Sequence, residues 1–229
     1  MGSFDTGVIW NALPYLFLDG MAFTLMLTFW ATLLGLVFGT ALALMRLSNL
    51  GWLSHLAGAY VNIMRALPLV LVIFWFYFLV PLLAQWASGA RVPVRIDPFL
   101  SSVITFTLFE AAYFCEIMRS GIQSLPRGQT LASQALGLTR VQGLVSVVLP
   151  QAMRNMLPLI LTQTIVLFQD TSLVYVLSIT DFLGAAAKIA QRDGRLLEMY
   201  LFAAAIYFLI SFVASQAVRR LQKRIAIIR

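Results

Sequence analysis

The chain has 229 residues, of which 61% are hydrophobic and only 11% charged, with a mean hydropathy of +0.89. A soluble domain of this length cannot hide so much apolar surface, so the class is an integral membrane protein. The net charge of +7 comes from 16 Lys and Arg set against 9 Asp and Glu, and the cations are dispersed along loops and the tail, not gathered on the folded basic face that nucleic acid requires.

The first uncharged run, Gly20 to Met45, covers roughly 39 Å as a helix, enough to cross a bilayer with some tilt. No Lys or Arg precedes Arg46, the wrong pattern for a secretory signal peptide, so this run is expected to be retained. Ala66 to Ala90 forms a second run, ended by Pro81 and the polar 85–95 segment. A third extends from Pro98 to about Met118, interrupted by Glu110 and Glu116. The fourth covers about Asn155 to Ile179 with Asp170 inside it, and the fifth Met199 to Val218. The expected fold is therefore all-α, five transmembrane helices in a single transmembrane domain spanning residues 1–229.

With the N-terminus outside, 11 of the 16 basic residues fall inside: Arg46, Arg65, Arg119, Arg127, Arg140, Arg154, Arg219, Arg220, Lys223, Arg224 and Arg229. The positive-inside bias thus predicts a periplasmic N-terminus and a cytoplasmic C-terminus. The tail VRRLQKR (218–224) reads as a helix end held at anionic headgroups, or secondarily as a partner contact. Cys115 reads as an ordinary apolar residue and His55 as part of a membrane-edge loop. No Gly-Lys pair occurs in the chain, so it has no GxxxxGK[ST] phosphate cradle. Any ATP and Mg would be bound by another polypeptide.

Between spans three and four lies an inside loop, about 120–154, too short and polar to cross. Its chemistry predicts two short helices: Arg127 to Leu136 closed by Gly137, then a second opened by the capping box Thr139–Gln142. In the second, Val141, Leu144, Val145, Val148 and Leu149 stand at i, i+3, i+4, i+7 and i+8, one apolar face, before Pro150 stops it. That face either lies on the membrane surface or the chain's own spans, or docks on a cytoplasmic partner.

The segments MRLS (45–48), YVNIMRALPLV (60–70), EAAYFCEIMRSGIQS (110–124), GIQSLPRGQ (121–129), ALGL (135–138), LPQAMRNMLP (149–158) and QDTSL (169–173) together resemble the permease subunits of bacterial ABC importers for polar amino acids. The likeness is nearest to the glutamate/aspartate importer permeases and covers most of the chain. The family's cytoplasmic pattern is EAA, three residues, G, nine residues, I, x, LP. Gly137 and Leu149-Pro150 fit it, with Val147 at the Ile position. The resemblance implies a type I ABC importer permease fold and a coupling helix seated in a cytoplasmic ATPase. The contact residues it implies are Gln129, Ala132, Ala135, Leu136, Gly137, Leu138, Thr139, Gln142, Leu144 and Pro150. It also implies a second, related permease subunit, two ATPase subunits and a periplasmic amino-acid-binding protein, on the bacterial inner membrane.

The chain departs from that pattern twice. Leu131-Ala132-Ser133 replaces the Glu-Ala-Ala triplet, and Gln169 stands where the family's KDTSL signature has Lys. The literal Glu110-Ala111-Ala112 lies in the third span and is not the loop motif. Charges within spans cost of order 2.5–3.5 kcal/mol, so Glu110 and Asp170 either line a path or lock helices together. Asp170 stays open between the two, and Glu110 leans to structure because a bare carboxylate repels an acidic substrate. Arg65, read as opening span two, is either a carboxylate contact or a headgroup anchor at the cytoplasmic edge. Thr162, Gln163, Thr171 and Ser172 complete the expected pathway set, and Thr180–Glu198 is either a binding-protein contact or a connecting interfacial helix. Gly35, Gly39 and Ala43 form a small-residue stripe that packs on the second permease or within the subunit. A secondary transporter would show repeated halves, which five spans do not divide into. A membrane-embedded enzyme would need a nucleophile–base pair or metal cluster that the sequence lacks. Acidic amino acids are the expected substrate, glutamine the next, basic amino acids the least favoured.

Overall fold

The computed structural model describes residues 4–92 and 97–225. Among the described residues every regular element is helical, and five helices are long and apolar enough to cross a membrane. In lipid the backbone must satisfy its own hydrogen bonds, and helices do so without a partner strand.

Span one is longer than the charge-free run suggests. α1 (Thr6–Tyr15), a π-helical turn (Leu16–Met21) and α2 (Ala22–Arg46) form one 41-residue helix, Thr6–Arg46. Asp5 caps its start, its carboxylate accepting from the Gly7 amide at 2.8 Å. α3 (Gly51–Ala66) comes next, carrying His55 on a helix and not in a loop. Span two proper, Leu69–Ser88, comprises α4 (Leu69–Phe74), a π turn (Trp75–Leu79) and α5 (Val80–Ser88). α6 (Pro98–Gln123) is span three. α7 (Arg127–Ala135) is the first loop helix. α8 (Arg140–Gly143), a π turn (Leu144–Val148), α9 (Leu149–Asp170) and a 3-10 segment (Thr171–Leu177) run on without interruption. α10 (Phe182–Asp193) and α11 (Leu196–Ile225) complete the chain, the latter absorbing the basic tail as its last turns.

Two prolines expected to end helices do not. A proline lacks the N–H that would bond the carbonyl four residues back, and its ring clashes with that carbonyl. For Pro81 and Pro150 those carbonyls belong to Tyr77 and Ser146, and both lie inside π turns, Trp75–Leu79 and Leu144–Val148. The wide turn absorbs the clash and the helix continues.

Proline does break the chain at Leu67-Pro68, where both residues are extended (ψ 139° and 130°) because the residue before proline avoids the helical region. α3 packs on the half of α6 nearest the 127–149 loop: Val61 clusters with Ala43, Ala112 and Cys115, and the Tyr60 hydroxyl donates to the Leu108 carbonyl at 2.7 Å. α4 packs further out, Leu69, Val72 and Ile73 against Val103, Phe106 and Phe109. The break therefore lies level with the middle of span three. Arg65 closes α3, beside Tyr113 and Glu116 of α6 and ahead of span two, which begins at Leu69; it does not open that span.

The most extensive helix pairing joins α2 to α6. A Cβ on Gly35 would meet Glu110 and Phe114 at 3.2 Å, and one on Gly39 would meet Phe114 at 2.8 Å and the Ala111 carbonyl at 2.9 Å. The stripe of Gly35, Gly39 and buried Ala43 thus packs within the subunit.

Candidate functional site

The loop between spans three and four is fixed at both turns. α7 closes with Gly137 at φ +81°, the Leu138 amide reaching back to the Ser133 carbonyl at 3.1 Å and the Gly137 amide to Gln134 at 2.9 Å. This is the paired closure that a left-handed residue permits. The expected capping box is formed: the Thr139 amide donates to Gln142 Oε1 at 2.9 Å and the Gln142 amide to Thr139 Oγ1 at 3.3 Å. Ser133 is buried under Gly143, where a Cβ would come within 2.5 Å of its hydroxyl oxygen. Gln151 ties the start of α9 to α7, donating to Gln129 Oε1 at 3.2 Å.

Of the expected apolar face, Val141, Val145 and Leu149 point out, 70%, 55% and 38% exposed, while Val148, the last residue of the π turn, is buried. Leu131 and Leu136 are also exposed, the latter at 82%. Ala132, Ala135, Gln129, Gln142 and Pro150 are exposed and Leu138 is half-buried; the Leu144 side chain lies outside the described residues. Large apolar groups are thus presented outward from a segment whose turns are held rigid.

The interior holds the polar groups. Glu110 is fully buried in α6 and accepts from Gln163 Nε2 of α9 at 3.1 and 3.3 Å. Asp170, half-buried, ends α9. The Arg65 guanidinium lies 5.6 Å above the Tyr113 ring and 4.0 Å from Glu116 Oε2. Sequence reasoning missed Glu116, which Arg46 and Arg119 also hold; its three-residue spacing from Arg119 was the available signal. Thr162 is exposed and donates to the Pro158 carbonyl of its own helix. Thr171 is fully buried with its hydroxyl spent on the Phe168 carbonyl at 2.7 Å, which withdraws it from any water-filled path. Ser172 is half-buried.

At the opposite end α10 is packed into the bundle. Asp181 caps it, accepting from the Leu183 and Gly184 amides at 3.0 and 2.9 Å, and Thr24 of α2 accepts from the Phe182 amide at 3.0 Å. Burial pushes the Asp181 carboxyl up to about 6, against the stabilising pull of those two amides and the Tyr207 hydroxyl. Arg195 links Asp5 to Glu198, tying the start of span one to that of span five. The polar exterior of this end comprises Lys188, Gln191, Arg192 and Asp193.

Five spans, a polar interior with opposed charges and a rigid outward-facing loop define a transport-type membrane subunit. Residues 31–227 match the inner membrane components of binding-protein-dependent transport systems, and the chain belongs to that family. It is 50% identical over 226 residues, 99% of this chain and 100% of the relative, to the glutamate/aspartate import permease protein GltK of Escherichia coli O6:H1. It is 33% identical to the glutamine transport system permease protein GlnP of Shigella flexneri, over 98% of this chain and 99% of that one. Among solved structures, an amino acid ABC transporter crystallised with histidines superposes with a TM-score of 0.86 at 29% identity, covering 98% of this chain and 99% of that one. The methionine ABC transporter MetNI, at 18% identity and a TM-score of 0.73 over 94% and 98% of the two chains, shares the fold. The protein is an inner-membrane permease of the type I fold and not itself an enzyme.

Proposed function

We propose that this permease moves acidic amino acids, glutamate and aspartate, inward across the membrane by alternating access driven by a separate ATPase. The observation that carries the substrate is the full-length 50% identity to a glutamate/aspartate permease. The second reading, glutamine, rests on the 33% identity to a glutamine permease. The N-terminus faces the periplasm and the 127–149 loop the cytoplasm, in keeping with the basic-residue bias.

In this reading the loop is a coupling helix. Leu131, Leu136, Val141 and Val145 enter a cleft of the ATPase, and the closures at Gly137 and Thr139 hold the peg rigid. Gln129, Ala132, Ala135, Leu138, Gln142, Leu144 and Pro150 complete the contact. Because α8 runs unbroken into α9, a displacement of the peg tilts span four directly. Leu131 stands in place of the family's Glu, so the contact relies on apolar burial where relatives add a charge. ATP and Mg belong to two ATPase subunits; a second, related permease closes the path, and a periplasmic binding protein delivers substrate to the α10 end. Arg65, Thr162, Gln163, Asp170 and Ser172 line the route. Thr171, sealed against its own helix, is left out of it.

The test is uptake into liposomes holding the purified complex. Internal ATP should drive accumulation of labelled glutamate and aspartate; accumulation that tracks an ion gradient and ignores ATP contradicts the proposal.

A further inference from the structure

Glu116 of α6 is one carboxylate among three guanidiniums drawn from three helices. Arg46, closing α2, donates to its Oε2 at 2.6 Å; Arg119, one turn further along α6, pairs with both oxygens; Arg65, closing α3, stands 4.0 Å away. Three cations against one anion leave two positive charges in excess where the ends of α2 and α3 meet α6. Such a cluster attracts a second anion.

Arg65 is the member placed to receive it. Its side chain is 41% exposed, against 19% for Arg46 and 26% for Arg119, and its contact with Glu116 is the longest of the three. Its guanidinium lies over the Tyr113 ring at 5.6 Å and makes no bidentate pair with Glu116. It stands at the break between α3 and α4, where Leu67 and Pro68 are extended.

We propose that Arg65 takes the side-chain carboxylate of the passing amino acid in exchange for Glu116, and that Glu116 reclaims Arg65 as the substrate leaves. The exchange rests on the acidic-substrate reading. It keeps the guanidinium paired throughout, so neither entry nor release leaves a bare charge in a low dielectric. Glu116 is then a built-in competitor of the substrate, and weakening its hold on Arg65 strengthens substrate binding.

That sign is the test, because a merely structural ion pair gives both partners the same sign. Glutamate and glutamine are titrated calorimetrically into the purified permease–ATPase complex in nanodiscs, without binding protein. Arg65→Gln should weaken glutamate by about tenfold or more, the worth of a charged hydrogen-bonded contact, and alter glutamine by less than about twofold. Arg65→Lys should recover part of the loss. Glu116→Asp, which shortens the reach to Arg65 yet keeps a carboxylate for Arg46 and Arg119, should tighten glutamate by about two- to fivefold. Thermal unfolding of each complex confirms that the variants are folded. The proposal is overturned if Arg65→Gln and Glu116→Asp shift glutamate in the same direction, if Arg65→Gln weakens both ligands equally, or if the wild-type complex binds no glutamate. The acidic-substrate reading fails separately, when the wild-type complex with its binding protein imports glutamine and not glutamate.

Discussion

Two short connecting helices, α7 with its capped successor and α10, have the same signature at their ends and opposite fates. Each starts or stops on a well-formed cap: Gly137 and Thr139–Gln142 in one, Asp181 in the other. α10 buries Phe182, Gly184, Ala185, Ala186, Ala187, Ile189 and Ala190 against the first and last spans. The loop leaves Leu131, Leu136, Val141 and Val145 outside. α10 carries small residues where it meets span one: Ala185 comes within 2.9 Å of where a Cβ on Gly20 would lie, and Phe182 and Ile189 are buried among the surrounding spans. Caps fix where a helix begins; whether its large apolar residues are covered within the chain is what separates these two.

Breaking the exposed surface should have the largest effect. Leu136→Asp should lower ATP-driven uptake by about a hundredfold or more, since a carboxylate in a closed apolar cleft costs several kcal/mol. The isolated permease should keep its melting temperature, because surface changes stay within about 0.5 kcal/mol. A fall in both would merge the two regions and remove the contrast.

The α10 end should respond in stability and in its pH dependence. With its folded value raised to about 6 from an ordinary 3.8, ionised Asp181 costs the fold about 2–3 kcal/mol. The cost is absent below about pH 4, grows between about 4 and 6 and is complete above 6. Acidification from 7 to 4 should therefore relieve it, and Asp181→Asn should remove that part of the pH slope in thermal unfolding. A slope unchanged in the variant would place the titration elsewhere. Ala185→Leu should cost about 1–3 kcal/mol by overpacking, read as a lower melting temperature, with uptake by the surviving folded complex preserved.

The smallest effect belongs to the loop cap. Thr139→Ala removes one of the two reciprocal bonds and should cost about 1 kcal/mol locally. It should lower the ratio of amino acid moved to ATP hydrolysed while leaving ATPase activity intact; an unchanged ratio would show that the cap gives no rigidity the coupling uses.

The five spans were legible because charge-free runs of about 20 residues have one reading in lipid. The loop's closures were legible for a similar reason: Gly137 and Thr139–Gln142 act within four residues of themselves. What escaped depended on non-local geometry. The π turns that carry helices past Pro81 and Pro150 have no composition of their own, so a proline reads as a stop. Val148, buried although Val145 and Leu149 are exposed, lies inside one of those turns. Arg65 looked like the start of a span because the charge count ended there, whereas it closes α3, a helix packed on α6 ahead of the break at Leu67-Pro68. Glu116 became conspicuous only when three helices brought arginines to it.

The peg itself offers the most direct measurement. The only cysteine, Cys115, is buried, so Val141→Cys supplies the accessible thiol for a short bifunctional cross-linker in the membrane-embedded complex. The account predicts a cross-link to the ATPase subunit in high yield, with a yield that changes when ATP is bound. A thiol at 141 that joins no ATPase subunit and is protected only by lipid would contradict it.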